Sequence, residues 1–194
     1  MEVKSFDKDL KDILSIRYQA DNSNAGSSSH YLSAIDPLTR VYSRAYFDAQ
    51  LSAKWEDAVS EGTSLTFFII NVDSFKSFNS SSDTRSGDYA LQKIAKCLKL
   101  LFRRATDLVA RDGGDQFIVL ALEMDNANAE QYVKVIKERI KSLKIYNQFK
   151  KDYLTVSIQQ VVHHPQKSGT SAKFLIQLLD DFAKQQAGKH SAQA

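Results

Sequence analysis

Two short apolar runs, residues 107–111 and 116–122, flank Asp112-Gly113-Gly114-Asp115, and nothing else in the chain restricts its fold as much. Paired glycines between strand-forming runs supply the positive φ angles of a tight turn, so the segment reads as an antiparallel hairpin. Helical and strand periods alternate around it. Ser43 can cap a helix running to about Ser60, with Tyr46, Phe47, Leu51 and Trp55 on its apolar side and Glu61-Gly62 at its end. Residues 64–71 form a continuous apolar run, the pattern of a buried central strand, and a short Ser-rich loop is expected after it. Residues 87–103 place Leu91, Ile94, Leu98, Leu101 and Phe102 at helical spacing, with Cys97 packing beside the stripe. Residues 127–144 and 170–187 read as helices, the latter closed by Gly188, and residues 153–162 read as a strand. A hairpin within this order implies an α+β fold: a central mixed or antiparallel sheet of about five strands, flanked by helices.

Upstream, Val3, Phe6, Leu10, Ile13 and Leu14 form one stripe, so residues 1–20 are expected to be an amphipathic helix. It would pack on its own domain or on its copy in a homodimer. Residues 21–31, rich in Ser and Asn, read as a flexible linker, and residues 32–194 as the main domain. With 43% hydrophobic and 25% charged residues in 194, the chain is not mainly disordered. Its apolar runs are too short to span a bilayer. A single cysteine excludes an internal disulfide and a multi-cysteine metal site. The opening Met1-Glu2-Val3-Lys4 lacks a signal-peptide pattern, and a reducing cytoplasm is expected. A net charge of +3 is too mild to point to nucleic acid. His163 and His164, just before Pro165, read as loop residues, and Trp55 as core.

Five ordered segments carry a resemblance. Asp36-Pro37-Leu38-Thr39-Arg40-Val41-Tyr42-Ser43-Arg44 resembles D-x-L-T-G-L-x-N-R, and Asn71-Val72-Asp73-Ser74-Phe75-Lys76-Ser77-Phe78-Asn79 resembles D-x-D-x-F-K-x-x-N. Gly87-Asp88-Tyr89-Ala90-Leu91 resembles G-D-x-x-L, Arg111-Asp112-Gly113-Gly114-Asp115-Gln116-Phe117 resembles R-x-G-G-D-E-F, and Leu154-Thr155-Val156-Ser157-Ile158 resembles V-T-V-S-I. These are the motifs of GGDEF domains, the diguanylate cyclase family, and they imply a nucleotide-cyclase-like fold. That family joins two GTP into cyclic di-GMP, one GTP per subunit of a dimer, with Mg²⁺.

The resemblance places the metal and catalytic positions at Asn71, Asp115 and Gln116. Two of the three have lost their carboxylates; only Asp115 can still offer Mg²⁺ an anionic oxygen. Losing one such transition-state interaction typically lowers the rate by ~10²–10³. The resemblance carries GTP contacts onto the backbone amides of Ser74, Phe75 and Lys76, onto Asn79 and Asp88 at the guanine edge, onto Leu91, and onto Lys184 and Lys189 as late phosphate contacts. On the residues alone, Asn79 and Asp88 also read as turn and helix-cap residues. Gln159 departs from a strand glycine.

Arg104-Ala105-Thr106-Asp107 precedes Gly113 by the spacing of the family's R-x-x-D site, which binds cyclic di-GMP. An Arg fork can donate to guanine O6 and N7, and an Asp can accept from N1 and N2. Arg103 would add a phosphate contact, and Lys134, Lys137 or Arg139 a second basic group. Three functions follow: an inactive or impaired cyclase serving as a cyclic di-GMP receptor that signals to a protein partner; a residual cyclase needing Mg²⁺ and GTP; or an interaction scaffold that needs no nucleotide.

Overall fold

The central strands send alternate side chains to opposite sides of one sheet, and both sides are buried. This explains why those two segments are apolar at most positions. The structure is a computed structural model and describes residues 34–81 and 84–165. The expected helix at 1–20, the linker at 21–31, the helix at 170–187, Lys184 and Lys189 lie outside the described residues.

The elements run β1 (Tyr42–Ser43), α1 (Arg44–Glu61), β2 (Leu65–Val72), α2 (Phe75–Ser81), α3 (Thr84–Leu101), β3 (Leu108–Gly113), β4 (Gln116–Leu122), α4 (Asn126–Lys141), β5 (Tyr146–Asn147), β6 (Asp152–Tyr153) and β7 (Val156–His163). The main sheet has the order β1-β3-β4-β2-β7, and β5-β6 form a separate small hairpin. β1 joins β3 in parallel while all other pairings are antiparallel, so the sheet is mixed as expected. On one side Phe68, Ile70, Phe117 and Val119 meet Leu91, Ile94 and Leu98 of α3 and Ile136 and Ile140 of α4. On the other side Phe67, Ile69, Ile118 and Leu120 meet Phe47, Leu51, Trp55 and Ala58 of α1. Burying each such large side chain contributes about 1.5–3 kcal/mol before chain entropy is counted.

The helix ends follow local chemistry. The Ser43 hydroxyl accepts from the Tyr46 N–H at 3.2 Å, capping α1. Gly62, at φ 67°, closes it in the left-handed conformation. Asp125 caps α4 by accepting from the Asn128 N–H at 2.7 Å. Cys97 is half-buried against the core, and burial pushes its thiol pKa up despite the nearby Arg139 charge.

Three expectations are corrected. The Ser-rich segment after β2 is a helix, α2, because Phe75 and Phe78 turn to the same side and bury there with their rings 6.0 Å apart. Packing thus overrides the local preference of serine for loops. The segment read as one strand over 153–162 is divided: Tyr153 ends β6, the second strand of the small hairpin, and β7 starts at Val156. His163 belongs to β7 rather than a loop; it pairs with Leu65 and stacks on Trp55 at 5.2 Å. Among the described residues no helix is long and apolar enough to cross a membrane.

Candidate functional site

The sheet brings the first group of sequence-marked residues to one edge. Asn71 lies in register with Gln116 on β4 and with Ser157 on β7. Directly opposed residues have Cβ atoms about 4.5–5.5 Å apart, so the two amides face each other. Asn71 Nδ2 and Gln116 Nε2 are buried and have no hydrogen-bond partner among the described residues. Asp73 is tied to the next strand: its carboxylate accepts from the Thr155 hydroxyl at 2.6 Å and the Ser157 hydroxyl at 2.7 Å. Asp115 is half-buried in the turn, and its carbonyl accepts from the Val72 N–H at 3.2 Å.

The Mg²⁺ that the resemblance implies requires oxygen ligands with negative charge. Two buried amides presenting unpaired N–H donors are the wrong chemistry for it. Among the described residues no group of three His, Cys, Asp or Glu could hold a metal ion. The residues present therefore do not fit the ion.

The signature turn is nevertheless built with care. Gly113 and Gly114 adopt φ of 110° and 49°, which residues with a Cβ rarely take, and a bulge at Asp112 precedes them. Arg111 donates to the Gly114 carbonyl from Nε (3.1 Å) and Nη2 (2.7 Å), and its Nη1 reaches the Asp36 carboxylate at 3.4 Å. Arg44 bridges the Asp112 carboxylate and the buried Asp48. Sequence reasoning missed these braces, because Asp36 and Arg111 are separated by most of the fold.

Burial alone would raise the Asp36 carboxyl. The Thr39 side-chain and backbone hydrogen bonds and the Arg111 charge outweigh burial and hold it below its ordinary 3.8. A depressed native pKa gives stability that is present above pH 3.8 and lost as pH falls through the lowered value. We expect Asp36→Asn to destabilise the domain by about 1–3 kcal/mol at pH 7. The deficit relative to wild type should shrink in acid, read from denaturant midpoints across pH. A deficit that does not change with pH would rule out the ionic contribution.

The GTP positions inferred from the resemblance are distributed as follows. Ser74 takes a left-handed φ of 56° between β2 and α2, and the Phe75 and Lys76 amides open the first turn of α2. Asp88 is exposed on α3. Leu91 is 2% exposed and belongs to the core, so it has no open face for a ligand. Asn79 Oδ1 is buried and has no partner among the described residues.

A Cβ on Gly87 would stand 2.1 Å from Asn79 Oδ1, so Gly87 is the space that Asn79 occupies. In Gly87→Ala the better helix propensity, worth about 1 kcal/mol, offsets part of that clash. The expected result is a near-normal melting temperature with the Asn79 amide displaced, seen as a shift of its side-chain NMR resonances. An unmoved Asn79 resonance would refute the close packing.

The second site lies where α3 passes into β3. The Asp107 carboxylate accepts from the Arg104 N–H at 3.0 Å through Oδ2, and the Asp107 N–H donates to the Arg104 carbonyl at 3.0 Å. This closes a tight turn with Arg103 and Arg104 exposed and Asp107 half-buried. Burial pushes the Asp107 carboxyl above its ordinary value, against the opposing pull of the Arg104 N–H and the Arg104 charge. A cavity of about 220 Å³ opens at Asp107, lined also by Arg40, Tyr42, Lys99, Phe102 and Val109. The expected second basic groups are not on that wall: Lys134, Lys137 and Arg139 are exposed along α4, and Arg40 and Lys99 line the cavity instead.

The sequence profile described as "Diguanylate cyclase, GGDEF domain" matches residues 33–192. The diguanylate cyclase TpbB of Pseudomonas aeruginosa is 36% identical over 104 residues, which is 54% of this chain and 23% of that protein. The chain thus spans less than a quarter of this curated relative. The GGDEF domain of DgcB from Caulobacter crescentus, solved in complex with cyclic di-GMP, superposes with a TM-score of 0.68 at 21% identity, over 84% of this chain and 94% of that one. Diguanylate cyclase SiaD, solved with its activator SiaC from Pseudomonas aeruginosa, gives a TM-score of 0.66 at 23% identity, covering 92% of this chain and 69% of that one. With the family profile matching most of the chain and the same five-stranded architecture in solved relatives, this chain belongs to the GGDEF domain family of diguanylate cyclases.

Proposed function

We propose that this domain is a cyclic di-GMP receptor whose own cyclase activity is absent or strongly reduced. One observation carries the proposal: Asp107 is a half-buried carboxylate with one oxygen held by the Arg104 N–H and its body opening onto a cavity. Burial raises the free energy of the charged form, and a ligand with N–H donors restores what was lost. Guanine offers such donors at N1 and N2, and Arg104 can fork onto O6 and N7. Arg103 stands beside them for a phosphate oxygen.

The impairment is argued from the sheet edge. Asn71 and Gln116 present neutral amides where the family's reaction needs anionic oxygen, and neither can act as a base. Binding at Arg104 and Asp107 would then alter what the domain shows to a protein partner. The solved pairing of SiaD with SiaC is an example in a relative of such an association.

A second reading is favoured by Asn79, whose buried, unpartnered acceptor lies at the position matching the family's guanine contact. On this reading GTP binds without turnover and acts as a ligand of the domain.

The experiment is a calorimetric titration with cyclic di-GMP and with GTP, beside a turnover assay with GTP and Mg²⁺ or Mn²⁺. The receptor reading expects micromolar or tighter binding of cyclic di-GMP and no product. Turnover comparable to active cyclases overturns the impairment. No heat with cyclic di-GMP, in folded protein free of nucleotide, overturns the receptor and leaves GTP or a nucleotide-free scaffold.

A further inference from the structure

We propose that Arg40 and Lys99, outside the Arg-x-x-Asp motif, are the cations that hold the phosphate adjoining the guanine which the receptor reading seats at Asp107. This inference rests on the receptor reading and names residues that determine the affinity of that site.

The size and walls of the cavity point to a planar base. Its volume of about 220 Å³ is below the roughly 300–1,000 Å³ of pockets for drug-sized ligands. It suits one base better than a whole dinucleotide. Phe102 is 6% exposed and Val109 6%, giving an apolar floor. Tyr42, braced by stacking on Tyr46 at 4.5 Å, adds an aromatic wall. Asp107 is the carboxylate at this wall, and its Oδ1 has no hydrogen-bond partner among the described residues.

The two cations are available to an anion. Lys99 Nζ donates to the Arg40 carbonyl at 3.3 Å, which joins the last turn of α3 to the loop before β1. Among the described residues neither Arg40 nor Lys99 has a carboxylate within ion-pair distance. Arg40 also holds a φ of 60°, a conformation that favours glycine. Glycine is also what the D-x-L-T-G-L-x-N-R pattern carries at this point. A long cation kept at a glycine-favouring position, on the wall of a cavity with a half-buried carboxylate, is explained by a phosphate that it meets.

The same geometry supplies a clean test. Arg40→Gly removes the cation and relieves the positive φ, so it adds no backbone strain there. Lys99→Ala places the best helix former at an exposed helical position. Wild type and both variants are titrated with cyclic di-GMP, GTP and cyclic di-AMP at low and moderate salt.

We expect each variant to bind cyclic di-GMP about tenfold more weakly, the size of one charge-assisted hydrogen bond, and with a flatter salt dependence. Cyclic di-AMP, which lacks the N1–H and N2 donors, should not bind measurably. If wild type binds cyclic di-GMP and both variants match it, the inference is overturned while the receptor reading stands. If wild type does not bind, the receptor reading falls and takes the inference with it. If the variants lose GTP instead, the pocket belongs to a mononucleotide. If cyclic di-AMP binds equally well, the guanine seat is overturned.

Discussion

Asp107→Asn is expected to weaken cyclic di-GMP binding about a hundredfold while leaving the melting temperature nearly unchanged. The two effects separate because Asp107 plays different parts in the fold and in recognition. In the fold it accepts one hydrogen bond, from the Arg104 N–H at 3.0 Å, and an asparagine oxygen accepts the same bond. Its charge does not stabilise the native state. Burial holds its native pKa above the ordinary 3.8, so the folded protein prefers the proton and stability falls as pH rises through that window. Removing the charge therefore leaves stability at neutral pH unchanged or slightly higher.

In the recognition proposed here the carboxylate would accept from two guanine donors. The asparagine amide turns one acceptor into a donor that meets a donor, which forfeits a bidentate pair worth about 1–3 kcal/mol and leaves buried groups unpaired. Arg104→Ala should produce a loss of similar size through O6 and N7. The pH profile adds a readout that a purely structural role would not move. Wild-type affinity should decline as pH falls toward the raised pKa of Asp107, and this acid limb should be missing in Asp107→Asn. Calorimetry across pH, with thermal melts of the same samples, checks both. A variant that binds normally, or that loses binding only because it unfolds, would remove Asp107 from the site.

Much of this fold was legible in the chain because its strands obey simple rules. The 64–71 and 116–122 runs are mostly apolar since β2 and β4 are central, with Phe67 and Ile118 facing one core and Phe68 and Val119 the other. Ser43, Gly62 and the two turn glycines mark their elements by local chemistry alone. What was hidden depends on tertiary contact. The two-residue strand β1 exists only because Tyr42 and Ser43 meet Ala110 and Arg111. α2 forms from a serine-rich stretch because Phe75 and Phe78 find the core. The same holds at the candidate sites. The motif positions Asn71, Gln116, Arg104 and Asp107 were visible one by one. That Asn71 opposes Gln116, that Arg111 braces the turn from Asp36, and that Arg40 and Lys99 share a wall with Asp107 all require the folded chain. Leu91 shows the converse: a motif position whose side chain the core has absorbed.

The double substitution Asn71→Asp with Gln116→Glu should convert the sheet edge into a cation-dependent one. The two positions are register partners on β2 and β4, and Asp115 adjoins them in the turn. Three carboxylates gathered there repel, and each resists ionisation beside the others. Without divalent cations the double variant should therefore melt below wild type, and its deficit should grow as pH rises and the carboxylates lose their protons. Adding Mg²⁺ should restore the loss in the variant and leave wild type unmoved, since the native amides offer the ion no negative charge. This thermal readout does not depend on turnover. If the rest of the nucleotide site still functions, product formation from GTP should also rise, by about 10²–10³ for each restored transition-state interaction. The outcomes divide the history of the edge. Mg²⁺ stabilisation with turnover would mean that the two amides account for the proposed impairment. Mg²⁺ stabilisation without turnover places further damage elsewhere, with Gln159 on β7 the first position to revert. A variant indifferent to Mg²⁺ would show that the edge no longer has the geometry of a metal site, whatever residues it carries.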